Sequence, residues 1–200
     1  MRSNTRVITG CITTLILVIL AIPVSALNIT YQIADDGTGY HAVAAVNATD
    51  RYEFMQSGAL GEQVPLKVTN ITLFENGVNK TYTEERGGIR FASGNYSITF
   101  DGTISGNTFQ SQLPEPGSVS IILPEHYKVD NPLLTSLQPG GSRVNKSMNQ
   151  TVVTWDKTRY FDIRFYDGNQ ENLLGIFTQF WLIIAVMLLL PFLFSRGRQG

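Results

Sequence analysis

The chain has 200 residues, of which 15 are Lys or Arg and 16 are Asp or Glu, and its formal net charge at pH 7 is −1. This balance excludes the strongly basic surface on which nucleic-acid binding depends. The single cysteine excludes an internal disulfide framework, so an exported domain of this sequence must rely on its apolar core.

The first 26 residues form a segment of their own. Arg2 and Arg6 precede an apolar run over residues 7–22, and small residues end the segment at Ala26. This order predicts a secretory signal peptide over residues 1–26 with a cut after Ala26. If the segment is instead kept as an anchor, its basic flank stays inside and the following chain is still exported. Cleavage removes Cys11, so no thiol chemistry is expected of the mature protein.

Residues 27–172 contain many short segments rich in β-branched and aromatic residues, which are typical of strands. The segments are residues 27–33, 41–46, 51–55, 64–74, 89–91, 96–100, 119–123, 152–155 and 161–166. Turn signals such as Asp36-Gly37, Asn76-Gly77 and Ser105-Gly106 separate them. Many short strands with regular turns predict an all-β ectodomain built as an antiparallel sandwich.

Alternation predicts which side chains face the core. In residues 95–100 the apolar positions 96, 98 and 100 alternate with polar ones, which places Asn95 on the wet face. In residues 161–166 the apolar positions 161, 163 and 165 alternate with positions 162, 164 and 166. The second pattern predicts that Tyr166 points outward.

A seam in the strand spacing is predicted at Leu113–Gly117, where two prolines and a glycine occur together. One interpretation divides the ectodomain into a sandwich module over residues 27–112 and a smaller β module over residues 113–172. The other keeps one sandwich, in which the seam is a long crossover. We favour two modules. Residues 124–134 are bracketed by prolines and predict an ordered loop.

Asparagine sequons are more numerous than expected by chance. With thirteen asparagines about two or three N-x-[ST] sequons are expected, and seven are present. The acceptors are Asn28, Asn47, Asn70, Asn79, Asn95, Asn145 and Asn149. They predict a surface glycoprotein whose sugars shield the exposed faces. The alternative is that a β protein rich in Thr, Ser and Asn generates sequons incidentally.

Residue types that carry chemistry are sparse. His41 and His126 are far apart, and neither has a second ligand at metal-binding spacing. The acidic turns at residues 35–39 and 167–171 offer oxygen ligands, but Asp and Gly in a tight turn explain them without calcium. We therefore predict no catalytic residue, no metal site and no cofactor.

The C-terminal stretch Leu173–Phe194 contains no charged residue. A helix of this length covers the roughly 30 Å hydrocarbon core of a bilayer, which predicts a transmembrane helix over residues 173–194. Arg196 and Arg198 follow it and predict a cytoplasmic tail over residues 195–200. The expected fold class is thus an all-β ectodomain plus one C-terminal transmembrane α-helix.

Residues 64–100 resemble the small sandwich domains of the transthyretin and carboxypeptidase-regulatory type. The likeness lies in a strand over residues 68–74, the turn Asn76-Gly77, and the run over residues 89–100 that ends in Gly94-Asn95-Tyr96 and alternating apolar residues. As a whole, the order of leader, glycosylated β domain, helix and basic tail resembles uncharacterised single-pass surface proteins of archaea. That resemblance implies an envelope location and carries no catalytic residue.

These observations predict a single-pass cell-surface glycoprotein that acts as a non-catalytic binding, structural or accessory component of the envelope. The expected partners are the lipid bilayer, through Leu173–Phe194, and an envelope or membrane protein. Between Leu27 and Asn172, eleven Lys and Arg stand against sixteen Asp and Glu, which disfavours nucleic acid. The alternative is an exported, membrane-anchored hydrolase or processing factor that uses carboxylates, with or without calcium.

Overall fold

The computed structural model describes residues 27–58 and 60–196. The predicted signal peptide with its cut after Ala26, and the last four residues of the predicted tail, lie outside the described residues. The strands are β1 (Leu27–Ile33), β2 (Gly39–Glu53), β3 (Met55–Ser57), β4 (Gln63–Pro65), β5 (Val68–Glu75), β6 (Val78–Lys80), β7 (Thr83–Glu85), β8 (Gly88–Thr103), β9 (Thr108–Pro124), β10 (Tyr127–Lys128), β11 (Ser136–Gln138), β12 (Arg143–Lys146), β13 (Gln150–Arg164) and β14 (Tyr166–Asp167), and the helix is α1 (Gly168–Arg196). The prediction of a mostly β chain with one C-terminal apolar helix is confirmed.

Twelve of the described strands form one sheet, whose main order is β11-β13-β9-β1-β2-β8-β5-β6. β1 pairs antiparallel with β2 but parallel with β9, where Leu27 lies opposite Gly117. The purely antiparallel sheet predicted from the sequence is therefore wrong at this pair. A parallel pair needs a long crossover, and here the chain from β2 to β8 supplies it. β10 and β14 form a separate two-stranded sheet.

The four longest strands in the sheet are bent. β2, β8, β9 and β13 contain 15, 16, 17 and 15 residues. The β2–β8 ladder shifts register between Val46 and Arg51, and Ala48 within that interval has a positive φ of 51°. Bulges of this kind insert extra residues, which bend the strand and increase its twist. Segments predicted as separate strands, such as residues 89–91 and 96–100, are consequently parts of one strand.

The predicted seam at Leu113–Gly117 lies inside β9. Gln112 pairs with Tyr160 of β13 and Gly117 pairs with Thr158, so residues 113–116 bulge between two paired positions. Proline has no N–H group to donate to a ladder, which explains why two prolines occur at this bulge. The predicted break in the strand is wrong, whereas the division into modules over residues 27–112 and 113–172 stays a prediction.

The centre of the core consists of aromatic rings from five strands. The Tyr31 ring of β1 lies 5.5 Å from Tyr40, 6.3 Å from Phe100, 5.0 Å from Phe109 and 5.2 Å from Phe161, each time edge to face. All five side chains are at most 3% exposed. Such pairs contribute about 0.5–1.5 kcal/mol each beyond the area they bury. β1 thus joins β2 and β8 to β9 and β13 through one dry cluster.

The predicted alternation of buried and outward side chains is confirmed in residues 95–100. In residues 161–166 it fails at one position. Tyr96, Ile98 and Phe100 are buried as expected. Tyr166 was expected to point outward, but it is only 1% exposed. β13 ends at Arg164 and β14 begins at Tyr166, so the two-residue period restarts between them.

Helix α1 follows β14 without a linker. The Asp167 carboxylate accepts hydrogen bonds from the backbone N–H and side-chain amide of Asn169, which caps the first turn. The span Gly168–Leu190 has a mean hydropathy of 2.5 in its most apolar window, and 0% of that window is buried. The helix is therefore long and apolar enough to cross a membrane, and no part of the described chain covers that window.

Candidate functional site

All seven candidate glycan acceptors are exposed. Asn28 lies in β1, Asn47 in β2, Asn70 in β5, Asn79 in β6, Asn95 in β8, Asn145 in β12 and Asn149 in the turn between β12 and β13. Asn95 Oδ1 accepts a hydrogen bond from the Ala48 N–H at 2.8 Å, which fixes the amide orientation at the β2 bulge. A sugar needs an accessible asparagine side chain, and each of the seven residues is exposed, although Asn70 Nδ2 donates a hydrogen bond to Asp101. Glycosylation itself stays a prediction.

A histidine–carboxylate pair lies on the outer face of the β2–β8 ladder. His41 Nδ1 is 2.6 Å from Asp101 Oδ1, and Asn70 Nδ2 donates to Asp101 Oδ2 at 2.8 Å. The hydrogen bonds from Asn70 and His41 hold the pKa of Asp101 below its usual value. The His41 side chain is 53% exposed, so water competes for the same groups. His41, Asp101 and Asn70 thus form a polar cluster on the surface. Its hydrogen bond to Asp101 holds the side chain of Asn70, which is one of the sequon asparagines.

His126 and the acidic turns provide no candidate metal centre. The His126 ring packs against Tyr127 with centroids 4.2 Å apart. Asp36 accepts hydrogen bonds from the N–H and hydroxyl of Thr38, and Asp167 closes the turn before α1. Across residues 27–58 and 60–196, no group of three or more His, Cys, Asp or Glu is placed to hold a metal ion.

Carboxylates do meet on one face, but they meet around arginines. Arg51 contacts Glu53 at 2.7 Å and Glu85 at 3.4 Å, and Arg90 contacts Glu85 at 2.7 Å. The hydrogen bond from Arg90 lowers the pKa of Glu85. A general acid needs a raised pKa, which a carboxylate between two guanidinium groups does not have. The cluster stabilises the β7–β8 hairpin against β2.

A cavity of about 630 Å³ opens beside that cluster. Its wall combines apolar side chains of the β4–β5 region, among them Leu66, Val68 and Ile71, with Tyr82 and the carboxylate of Glu84. The Tyr82 hydroxyl donates to the Ile71 carbonyl at 2.9 Å, so the ring is fixed in the wall. The cavity is open and mostly apolar, and Lys67, Glu84 and Glu85 also line it.

The junction between the sheet and α1 contains two ion pairs and a tyrosine–carboxylate hydrogen bond. Lys128 Nζ donates to Glu171 Oε2 at 2.8 Å, which joins β10 to the first turn of α1. Asp130 accepts from Tyr166 at 2.7 Å and from Lys146 at 2.7 Å. The contacts from Lys146 and Tyr166 lower the pKa of Asp130 to about 2. Burial and the Asp130 carboxylate raise the pKa of Tyr166 to about 12.

Sequence reasoning predicted an ordered loop over residues 124–134 but missed this junction. Its ion pairs join residues 43 and 16 positions apart, and no local pattern connects them. The register of β10 against β14 brings Lys128 near the first turn of α1, because Tyr127 lies opposite Asp167 and Lys128 opposite Tyr166, whereas Lys146 comes from β12. We take the junction, together with α1, as the candidate functional site: it is where the β body is attached to a helix that the body does not bury.

Two comparisons bear on identity. No curated protein matches the sequence. A family described as a family of unknown function, DUF5803, matches residues 25–195. The match begins next to the predicted cleavage point and ends within α1, so it takes in the whole β body, the junction and nearly all of the helix. Because it covers well over half of the chain, the chain belongs to the DUF5803 family of unknown function.

Proposed function

We propose that this protein is a single-pass cell-surface glycoprotein with a non-catalytic binding, structural or accessory role in the cell envelope. Residues 27–172 form the extracellular body, Leu173–Phe194 crosses the membrane, and residues 195–200 form the cytoplasmic tail. The observation that carries the proposal is the direct passage from a β body with seven exposed sequons into an apolar helix that is 0% buried over its most apolar window.

The exposure of α1 supports the membrane assignment over a soluble core helix. A core helix buries at least one apolar stripe against its own domain. In α1 nearly all described apolar side chains are exposed, for example Leu173 at 65%, Phe180 at 56% and Leu188 at 68%. Such a surface is stable only in an apolar phase. Arg196 and Arg198 orient the C-terminus toward the cytoplasm.

The positions of the sequons support an exported body. They are distributed over β1, β2, β5, β6, β8 and the β12–β13 hairpin, and each asparagine is exposed.

The proposal includes three finer predictions: that the bent sheet is a sandwich of one or two modules, that residues 64–100 share the transthyretin-like arrangement, and that the envelope is archaeal.

The hydrolase alternative has little support among the described residues: burial raises the pKa of the Asp162 carboxyl group, but Asp162 does not line the cavity that contains Glu84 and Glu85. It requires two carboxylates facing a groove, one of them protonated at neutral pH. The carboxylates that the fold does bring together, Glu53 and Glu85, share the guanidinium group of Arg51. We therefore propose a single function.

A topology experiment tests the proposal. The full chain with a C-terminal epitope is produced in its native host, and its membranes are washed at alkaline pH. We expect the protein to stay in the membrane, its body to be digested by protease added outside intact cells, and its C-terminal epitope to be protected. Glycopeptide mass spectrometry should find sugars on several of the seven asparagines.

A matched pair of variants controls the glycan result. Asn79 and Asn76 are both exposed asparagines of the β5–β6 hairpin, but only Asn79 belongs to a sequon. Asn79→Gln should increase gel mobility by one glycan, whereas Asn76→Gln should not. Release of the protein by the alkaline wash, or an epitope digested from outside, would overturn the proposed topology. Absence of sugar from all seven sites would overturn its glycoprotein part.

A further inference from the structure

One short segment beside the junction presents an apolar side chain to solvent. This segment, residues 131–135, is called the base loop. Asn131 Oδ1 accepts from the Leu133 N–H at 3.0 Å, and the Asn131 carbonyl accepts from the N–H groups of Leu134 and Thr135, each at 3.0 Å. These bonds hold the loop in a closed turn, with Leu133 79% exposed at its tip. Leu133 is not part of the core, so a polar residue at this position would not weaken the packing of the body.

The ends of the base loop are both attached to the last residues before α1. On the N-terminal side, Asp130 accepts the hydrogen bond from Tyr166, which lies two residues before the helix. On the C-terminal side, Ser136 pairs with Arg164 at the end of β13. The loop is therefore held at the end of the body from which α1 leaves.

The first turn of α1 is attached to the same region. Lys128 of β10 reaches Glu171 at 2.8 Å, and β10 pairs with β14, the strand that continues into α1. A rise of about 1.5 Å per residue places Glu171 only one turn into the helix. When α1 spans a bilayer, this end of the body lies at the headgroups.

We propose that the base loop inserts Leu133 into the interfacial layer of the same bilayer that α1 crosses, so that the body has a second, peripheral membrane contact beside its anchor. The inference rests on the proposed function. Burying one exposed leucine is favourable, and tethering by α1 makes the insertion intramolecular, so even a weak contact is occupied. Two contacts fix the tilt of the body, which one helix alone does not.

The charges around the loop fit this surface. Lys146 and Tyr166 satisfy the Asp130 carboxylate, and Lys128 and Glu171 pair with one another. Arg164, opposite Ser136, and Asp167, before α1, add one charge of each sign, so positive and negative groups balance around the loop. The proposed contact is therefore apolar and does not depend on anionic headgroups. We expect insertion into zwitterionic lipid and little effect of salt.

Fluorescence quenching in vesicles tests the inference on the full chain. Cys11→Ser gives a background without thiols, and single cysteines are then introduced as Leu133→Cys, Ser105→Cys, Leu60→Cys and Ile183→Cys. Each carries an environment-sensitive fluorophore, and the phosphatidylcholine vesicles contain a lipid with a nitroxide near its headgroup or in its acyl chain. Ser105 begins a polar turn at the same end of the body, since Asn107 accepts from the Phe165 N–H. Leu60 is 96% exposed on the β3–β4 hairpin.

We expect the label at position 133 to show blue-shifted emission and quenching by the shallow nitroxide, unchanged by added phosphatidylglycerol or salt. The labels at positions 105 and 60 should behave as water-exposed. If the label at 183 is quenched and that at 133 is not, the inference fails and the proposed function stands. A blue shift at 133 without quenching means that protein covers the loop, which also overturns the inference. Absence of quenching at 183 overturns the proposed function itself.

Discussion

Strand β1 and helix α1 are both rich in apolar residues, but they differ completely in burial. In β1, Leu27 and Ile29 are 1% and 0% exposed because β2 and β9 flank the strand and the core covers its inner face. In α1, Leu182 and Leu188 are 65% and 68% exposed. The apolar content of a segment therefore does not reveal what covers it. In the body other parts of the described chain do so, whereas no described residue covers the most apolar window of α1.

This difference has a thermodynamic consequence. Each core side chain of β1 has already gained about 1.5–3 kcal/mol by leaving water, whereas the exposed side chains of α1 would gain it in the proposed membrane or in detergent. The stability of the body should thus depend on its own packing, and the location of the protein should depend on α1. The following substitutions separate the two dependences.

The largest effect is expected from Phe161→Ala. This ring contacts Tyr31 and Phe109 in the core and is 1% exposed. Its removal leaves a cavity, and we expect a loss of about 3–5 kcal/mol in the free energy of unfolding. Denaturant unfolding in detergent micelles, followed by near-UV circular dichroism, measures it. Tyr160→Ala, at the adjacent and 45% exposed position, is the control and should cost far less. If the two substitutions lower the free energy of unfolding equally, the aromatic cluster does not contribute more to the stability of the body than an exposed position does.

The converse experiment places a charge in α1. Ile183→Lys puts an ammonium group near the middle of the span, where a lysine costs about 2.5–3.5 kcal/mol of membrane insertion. We expect a larger fraction of the protein in the soluble phase after an alkaline wash, with unchanged unfolding of the body. Ile183→Leu should leave both quantities as they are. A loss of body stability in Ile183→Lys would show that α1 packs against the sheet.

Gly117→Ala tests the parallel pair that distinguishes the sheet from the predicted one. A Cβ atom at this position would lie 2.3 Å from the backbone oxygen of Leu27, and backbone cannot move aside as a flexible side chain can. We expect a loss of about 1–3 kcal/mol in unfolding free energy. Gly140→Ala, where no atom lies within 4 Å of the added Cβ, should be nearly neutral. A neutral Gly117→Ala would argue against the β1–β9 register.

The fold was predictable from the sequence where alternation is unbroken. The predicted strand over residues 27–33 coincides with β1, whose core-facing positions 27, 29, 31 and 33 are all buried. Alternation fails at bulges, because an extra residue shifts the phase and resembles a turn. For this reason Gly94 in β8 resembled a turn between two strands, and the prolines of β9 resembled a break in the strand. Residues 108–112 of β9 were missed because one of their two inward positions is a polar residue, the buried Ser111.

The candidate site was less predictable than the fold because its contacts are long-range. The register of β2 against β8 places His41 directly opposite Asp101, so correct strand pairing would have found that pair. The contacts of Asp130 with Tyr166 and Lys146 join three separate elements, and they require the relation of β10, β12 and β14 to be known. Neither spacing nor composition carries that information.

The smallest effect is expected at this junction and depends on pH. Because Lys146 and Tyr166 lower the pKa of Asp130 to about 2, the carboxylate stabilises the folded state fully above its ordinary value of 3.8, and this contribution is lost as pH falls toward 2. The Asp130 side chain is half exposed, so screening limits the effect to about 1 kcal/mol or less. Asp130→Asn should remove this part of the acid sensitivity, measured as the difference in unfolding free energy between neutral and acidic pH. Lys146→Gln should reduce it as well, since Lys146 is the largest cause of the shift. If Lys146→Gln keeps the full acid sensitivity, the ion pair with Lys146 does not stabilise the folded state through Asp130, and the hydrogen bond from Tyr166 must account for the effect.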